Sequence, residues 1–238
     1  MRIEAMTGIH LPESQCRRVM KKMGLRVKET APLPGKAGSQ LQFEFHQREL
    51  QPRLQEASEG RRNVFLVDSA NFVLGAFPGL VWCFARPFIK TAPGRQRYSV
   101  LGAIDSHSKE LISIKTTGCV NAELVGALLA RIRQCHPGEK VTLVMDNARY
   151  QQCKAVMSIA ADLDIELLFL PAHSPSLNLI ERLWKLVKRR CLTNKYYANF
   201  EGFRNAIDKC LAELGNVAKT ELDSLITLNL QFFANSKS

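Results

Sequence analysis

Three short, largely apolar runs most constrain what this chain can fold into. They are Val64–Val67, Val141–Met145 and Ile165–Leu170. Each is too short for a typical helix but suits a strand that is covered on both faces. Between the second and third runs, and again after the third, apolar residues follow helical spacing. This alternation of strand and helix favours an α/β fold, with helices covering the faces of a partly parallel sheet.

Further elements complete the predicted sheet. Additional strands, separated by turn-forming residues, are expected at about Leu80–Ala85, Tyr98–Ile104 and Leu111–Lys115. Helices are expected at about residues 12–23, 41–58, 121–134, 150–163, 177–191 and 200–214. The order of these elements predicts a mixed sheet flanked by helices, preceded by a short helical N-terminal extension.

The charge of the chain favours a polyanionic partner. Lys and Arg number 33 against 22 Asp and Glu, a net charge of +11. Nucleic acid is the commonest such partner, although a merely basic protein would look the same. The first helix carries a basic side that is either a DNA contact or a solvated face: Arg17, Arg18, Lys21 and Lys22.

The sequence disfavours a membrane-spanning protein and a disulfide-stabilised one. No apolar run approaches the roughly 18 residues of a membrane span, and the N-terminus lacks the apolar stretch of a signal peptide. The seven cysteines form no CxxC pair, which argues for reduced thiols and against a zinc site or a disulfide framework. With the basic charge, this predicts a cytoplasmic, nucleoid-associated protein.

Three carboxylates are the candidate chemical groups. Asp68 and Asp146 each follow an apolar run, so we expect both at the carboxyl ends of strands, where open sheets place ligands. Glu181 lies in the first turns of a helix whose preceding loop starts at the same edge. An Asp after a strand is often only a turn former, and an acid near a helix N-terminus is favourable without any function. Asp105 also follows a strand, but the DSHSK sequence there predicts a turn residue.

Clustered carboxylates need a cation to offset their repulsion. Oxygen ligands suit Mg²⁺ or Mn²⁺, and two such ions can hold the attacking and leaving oxygens of an in-line phosphoryl displacement. Zinc would favour His or Cys ligands, and no His is adjacent in sequence to Asp68 or Asp146.

The segments VMDNARY and LFLPAHSPSLNLIERLWKLVKRR resemble the catalytic core of the IS630/Tc1/mariner superfamily of DDE transposases, and of its IS630 family in particular. Asp146 and Glu181 are separated by 34 residues (181 − 146 − 1), which matches the family's spacing. The segment VFLVDSANF places the first acid of the family at Asp68. Ser69, His173 and Leu179 depart from residues common in relatives, but none of the three is a metal ligand.

The resemblance implies an RNase H-like fold with a mixed five-stranded sheet. It also implies that Asp68, Asp146 and Glu181 hold two Mg²⁺ or Mn²⁺ ions for endonucleolytic cleavage at transposon ends and strand transfer into target DNA. Double-stranded DNA would be the partner, bound by a homodimer. Asn147 and Asn178 would position the substrate, and Lys185, Lys188 and Arg189 would contact phosphates.

The predicted organisation has three parts. Residues 1–28 resemble the end of a helix-turn-helix DNA-binding region, shorter than that of relatives, residues 29–60 form a linker and helix, and residues 61–238 form the catalytic domain. The short N-terminal part leaves a second hypothesis open, a catalytically silent remnant that binds DNA or a partner. A third hypothesis is another nuclease of the same fold.

Overall fold

The computed structural model describes residues 8, 12–24, 39–79, 84, 88–90, 96–172, 174 and 177–216. Its contacts divide the chain into two compact units, residues 1–35 and 36–238. In the first unit the predicted helix is confirmed as α1, Glu13–Lys22, in which Arg17 pairs with Glu13 at 2.6 Å. No residue of α1 is buried. The division of the chain at residues 28 and 60 stays a prediction.

The second unit is built on a mixed five-stranded sheet, as the sequence predicts. The strands are β1 Asn63–Val73, β2 Arg97–Asp105, β3 Leu111–Thr116, β4 Val141–Met145 and β5 Ile165–Phe169. Their order across the sheet is β3-β2-β1-β4-β5. The β1–β2 and β2–β3 pairs are antiparallel, whereas β4 is parallel to both β1 and β5. Apart from Phe84, the strand predicted at 80–85 lies outside the described residues.

Helices cover both faces of this sheet. They are α2 Ser39–Phe45, α3 Gln51–Ser58, α4 Ala122–Cys135, α5 Lys154–Asp162, α6 Ile180–Val187 and α7 Phe200–Asn216. A π-helical turn joins α2 to α3, and another follows α6 at Lys188–Leu192. The even-numbered apolar residues of β1 pack with α6 and α7, while the odd-numbered ones pack with α4 and α5. This two-sided covering explains why the strands contain largely apolar runs.

One strand differs from its prediction in length. The sequence predicts that the first strand ends at Val67, but β1 continues to Val73, so that Asp68 lies in the middle of a strand and not at its carboxyl end. The extension persists because β2 pairs with β1 in antiparallel register from Phe65 to Val73. Backbone pairing with a neighbour therefore overrides the polar residues that interrupt the apolar run.

An ion-pair network fastens the α2–α3 segment to the sheet. Arg53 of α3 and Arg62 both bind the carboxylate of Glu166 on β5, with N–O distances of 2.5 and 2.6 Å. The Thr142 hydroxyl of β4 donates to the same carboxylate at 2.6 Å. These bonds, led by the one from Arg53, lower the pKa of Glu166 from 4.5 to about 2.

We expect Glu166→Gln to lower the free energy of unfolding by about 1–2 kcal/mol at pH 7, an estimate reduced for partial solvent screening. The folded-state pKa is depressed, so this stabilisation is present above 4.5 and is lost as the pH falls towards about 2. Urea unfolding at pH 7 and pH 3 measures the difference. Exposed Glu201→Gln is the control, and a Glu166→Gln deficit that is equal at both pH values would contradict the linkage.

None of the helices in the described ranges has the length and apolar character needed to cross a membrane.

Candidate active site

The register of two parallel strands brings Asp68 and Asp146 side by side. The last bonded pair between β1 and β4 joins Leu66 to Val144. Asp68 and Asp146 each lie two residues beyond that pair, and the side-chain period of a strand is two, so both stay on one face of the sheet. The predicted convergence of these two acids thus follows from register, although Asp68 is not at a strand end.

Asn178 ties the two strands together beneath these acids. Its buried Nδ2 donates to the backbone oxygen of Val67 at 3.1 Å and to Oδ1 of Asp146 at 3.3 Å. The side chain therefore orients the Asp146 carboxylate relative to β1. Its predicted role in positioning substrate stays a prediction.

Trp184 holds the Asp68 carboxylate, a contact that the local sequence pattern does not indicate, because the apolar spacing around Trp184 predicts only core packing. The indole Nε1 of Trp184 donates to Oδ2 of Asp68 at 3.1 Å. Gly102 pairs with Asp68 across β1 and β2, and a Cβ atom at Gly102 would lie 2.7 Å from Cη2 of Trp184. Glycine therefore lets the indole lie against the sheet. The one available sequence signal was a glycine inside an apolar strand, which often marks such a close approach.

Glu181 and Asp146 line the same cleft, as predicted. Glu181 is the second residue of α6 and is half-buried. The cleft has a volume of about 300 Å³, and its wall consists of Asp146, Asn147, Ala148, Pro171, Ala172, Ser174 and Glu181. Asp68 is not part of this wall.

The carboxylates nevertheless influence one another. The pKa of Asp68 is raised to about 6, mainly by burial and also by the charges of Asp146 and Glu181, against the opposing hydrogen bonds from the Ser69 backbone and Trp184. Burial is also the main cause that raises the pKa of Glu181, which Lys185 counteracts and Asp146 reinforces. The three acids therefore form one electrostatic unit in which additional negative charge is disfavoured.

The donor set of this unit suits a hard cation. Across the part of the chain that the structure describes, no three His, Cys, Asp or Glu side chains are already grouped closely enough to hold a metal ion. Two buried side-chain atoms nearby, Asn178 Oδ1 and Ser174 Oγ, have no hydrogen-bond partner among the described residues. With the carboxylates they offer only oxygen donors, which is the set that Mg²⁺ and Mn²⁺ prefer. The residues therefore fit such an ion in chemical type, while Asp68 has to approach the cleft to share it.

The other predicted site residues lie in varied surroundings. Asn147 is exposed on the cleft wall, and Lys185 is exposed beside Glu181. Lys188 places its Nζ 6.0 Å from the centre of the Phe72 ring, and Arg189 is exposed on the following π-helical turn. Their contacts with DNA stay predictions.

Asp105 is a turn residue, as predicted. Its Oδ1 accepts hydrogen bonds from the backbone nitrogens of His107 and Ser108, at 2.9 and 2.6 Å.

A comparison with protein families decides the classification. Residues 85–204 match the model described as DDE superfamily endonuclease, which is 120 of the 238 residues (204 − 85 + 1). The chain belongs to the DDE superfamily endonuclease family. The match includes Asp146 and Glu181 but begins after Asp68, so the place of Asp68 in this endonuclease rests on the strand register described above.

Solved structures with the same fold include those of Mos1 transposase. One is the Mos1 mariner paired-end complex with Mn, 16% identical with a TM-score of 0.58, matching 90% of this chain and 68% of that chain. A second is the Mos1 paired-end complex with the left transposon end, 14% identical with a TM-score of 0.56, covering 92% and 71%. A third is the isolated Mos1 catalytic domain, 14% identical with a TM-score of 0.53, covering 83% and 94%. At these identities the likeness establishes the RNase H-like fold of the endonuclease. Comparison with curated proteins yields no match.

Proposed function

We propose that this endonuclease is a transposase of the IS630/Tc1/mariner type, and of its IS630 family, which cleaves DNA at transposon ends and transfers the freed strand into target DNA. The observation that carries the proposal is the shared cleft of Asp146 and Glu181, two acids separated by the family's 34 residues (181 − 146 − 1). Similar folds in Mos1 complexes with a left transposon end and with Mn support it.

In this proposal Asp68, Asp146 and Glu181 hold two Mg²⁺ or Mn²⁺ ions. Such ions, when bound, activate the attacking oxygen and stabilise the leaving oxygen of the phosphodiester. The chain itself orients the ligands, since Asn178 fixes Asp146 and Trp184 fixes Asp68. Lys185 lies beside Glu181, where it would both offset the acid's charge and attract a DNA phosphate.

The activity is tested with a plasmid carrying the pair of terminal inverted repeats that the proposed function requires on either side of the gene. We expect the full chain to nick these repeats with Mg²⁺ or Mn²⁺, to be silent in EDTA, and to join the freed 3′ ends to a second DNA molecule. Cleavage without joining would favour a nuclease that is not a transposase. Absence of nicking with either metal would contradict the proposal.

A second candidate is a catalytically silent protein that binds DNA or a partner. The observation in its favour is that, within the described ranges, the three acids are not already grouped as a metal site. In that case the same plasmid would be bound but not cut, and the metal would make no difference.

A further inference from the structure

A second polar cleft lies on the same sheet face as Asp68, between α7 and the edge formed by β2 and β3. It has a volume of about 580 Å³, and its wall consists of Tyr98, Lys115, Thr116, Thr117, Arg204 and Asp208. Two cations face a single carboxylate, and two threonines add hydroxyl groups. The cleft therefore has a net positive charge and several hydrogen-bond donors, as an anion site requires.

Arg204 is the most distinctive group of this cleft. Its guanidinium carbon lies 5.2 Å from the centre of the Tyr98 ring and 5.9 Å from that of Phe200. Among the described carboxylates, none forms an ion pair with Arg204. These ring contacts and a hydrogen bond with the Tyr98 side chain hold the guanidinium in place. Its planar fork of five donors can bind a phosphate through two parallel hydrogen bonds.

Asp208 holds Lys115 in place on the wall of the same cleft as Arg204. The Lys115 Nζ lies 2.8 Å from Oδ1 of Asp208, and the same oxygen accepts the Tyr98 hydroxyl at 2.8 Å. Asp208 thereby fixes the position of the ammonium group, and its own charge is partly offset by these two donors. One full positive charge remains in the cleft after this pairing.

The register of the sheet relates this cleft to the candidate active site. Tyr98 pairs with Phe72, which is four residues after Asp68 on β1 and on the same face. Four strand residues span about 13 Å, which equals the rise of roughly four nucleotides in one strand of a duplex. The Nζ of Lys188 lies 6.0 Å from the centre of the Phe72 ring, which adds a cation near the level of Tyr98.

We propose that Arg204 and Lys115 bind a backbone phosphate of the DNA strand that extends away from the three acids. The inference rests on DNA being the substrate of the proposed function. The chemistry recognised is a phosphate, for which the alternative source is free inorganic phosphate.

The test measures equilibrium binding of the full chain to a labelled mixed-sequence DNA duplex in EDTA, over a series of KCl concentrations. We expect Arg204→Gln to weaken binding and to make the slope of log K against log [KCl] shallower by about 0.9, the effect of one lost phosphate contact. The double variant Arg204→Gln, Lys115→Gln loses up to about twice as much slope. Arg204→Lys, which keeps the charge, retains the slope but binds more weakly because it loses the planar fork.

Arg131→Gln is the matched control, since Arg131 is also an exposed arginine and lies on α4, which covers the opposite face of the sheet. An Arg204→Gln slope equal to that of the wild type, or a slope that falls equally in Arg131→Gln, overturns the proposal. So does an Arg204-dependent thermal shift with inorganic phosphate while the DNA slope stays unchanged.

The binding assay contains no divalent metal and requires no cleavage. If the Arg204→Gln slope falls while the wild type fails to nick its inverted repeats, the phosphate site stands and the proposed catalytic function fails. If nicking occurs while the slope is unaffected, the catalytic function stands and the phosphate site fails.

Discussion

Replacement of Asp146 by Asn is expected to reduce metal-dependent nicking by roughly a hundredfold to ten-thousandfold, equivalent to several kcal/mol of lost transition-state stabilisation. Asparagine has nearly the same shape, and its Oδ1 can still accept the hydrogen bond that Asn178 donates at 3.3 Å. The substitution removes one negative charge next to Asp68 and Glu181, whose pKa values that charge raises. The free energy of unfolding should therefore stay constant or rise slightly, as is common when a functional acid is removed.

Asp162→Asn is the control for this experiment, because Asp162 is an exposed aspartate at the end of α5. The nicked fraction of a plasmid with the inverted repeats is measured against Mn²⁺ concentration for the wild type and both variants. The assignment of Asp146 is wrong if Asp146→Asn nicks as fast as Asp162→Asn.

A second large effect is expected when the hydrogen bond from the Trp184 indole nitrogen to Asp68 is removed. Trp184→Phe retains most of the ring packing but removes the hydrogen bond to Asp68, so that this carboxylate loses its one described side-chain donor. Groups that orient metal ligands typically contribute tenfold to a hundredfold in metal affinity or activity. We expect the Mn²⁺ concentration for half-maximal nicking to rise by about that factor, with a loss of stability under about 1.5 kcal/mol.

A merely structural role for Trp184 would affect stability without changing the metal requirement. Ile132→Val separates the two, because Ile132 is fully buried on the opposite face of the sheet and this change costs a comparable 0.5–1.5 kcal/mol or so. An equal change of the Mn²⁺ requirement in Ile132→Val and Trp184→Phe would show that Trp184 does not position Asp68 for metal binding.

Much of the fold follows from sequence patterns because it depends on local apolar periodicity. The runs at 64–67, 141–145 and 165–170 identify three strands, and α4 and α7 lie close to their predicted positions. The full length of β1 could not be predicted, since it depends on backbone pairing with β2, which is distant in sequence. Strand pairing of this kind leaves no signal in the polar residues Asp68, Ser69 and Asn71.

The candidate active site likewise has residues that the sequence predicts and supporting contacts that it does not. Asp146 and Glu181 were recognisable because a family spacing and a local motif surround them, and both line the cleft. The supporting contacts were not predictable, since Trp184 reaches Asp68 only through the space left by Gly102 on another strand. Likewise, Arg204 and Lys115 are 89 residues apart in sequence (204 − 115) and meet only through packing of α7 on the sheet edge.

In the proposed function Asp68, Asp146 and Glu181 together bind divalent metal. The most direct test is the anomalous difference map of crystals of the full chain grown with Mn²⁺. We expect anomalous density between the carboxylates of Asp146 and Glu181, with Asp68 drawn towards it. Well-defined carboxylates without anomalous density at these three residues, at Mn²⁺ concentrations that support nicking, would contradict the account.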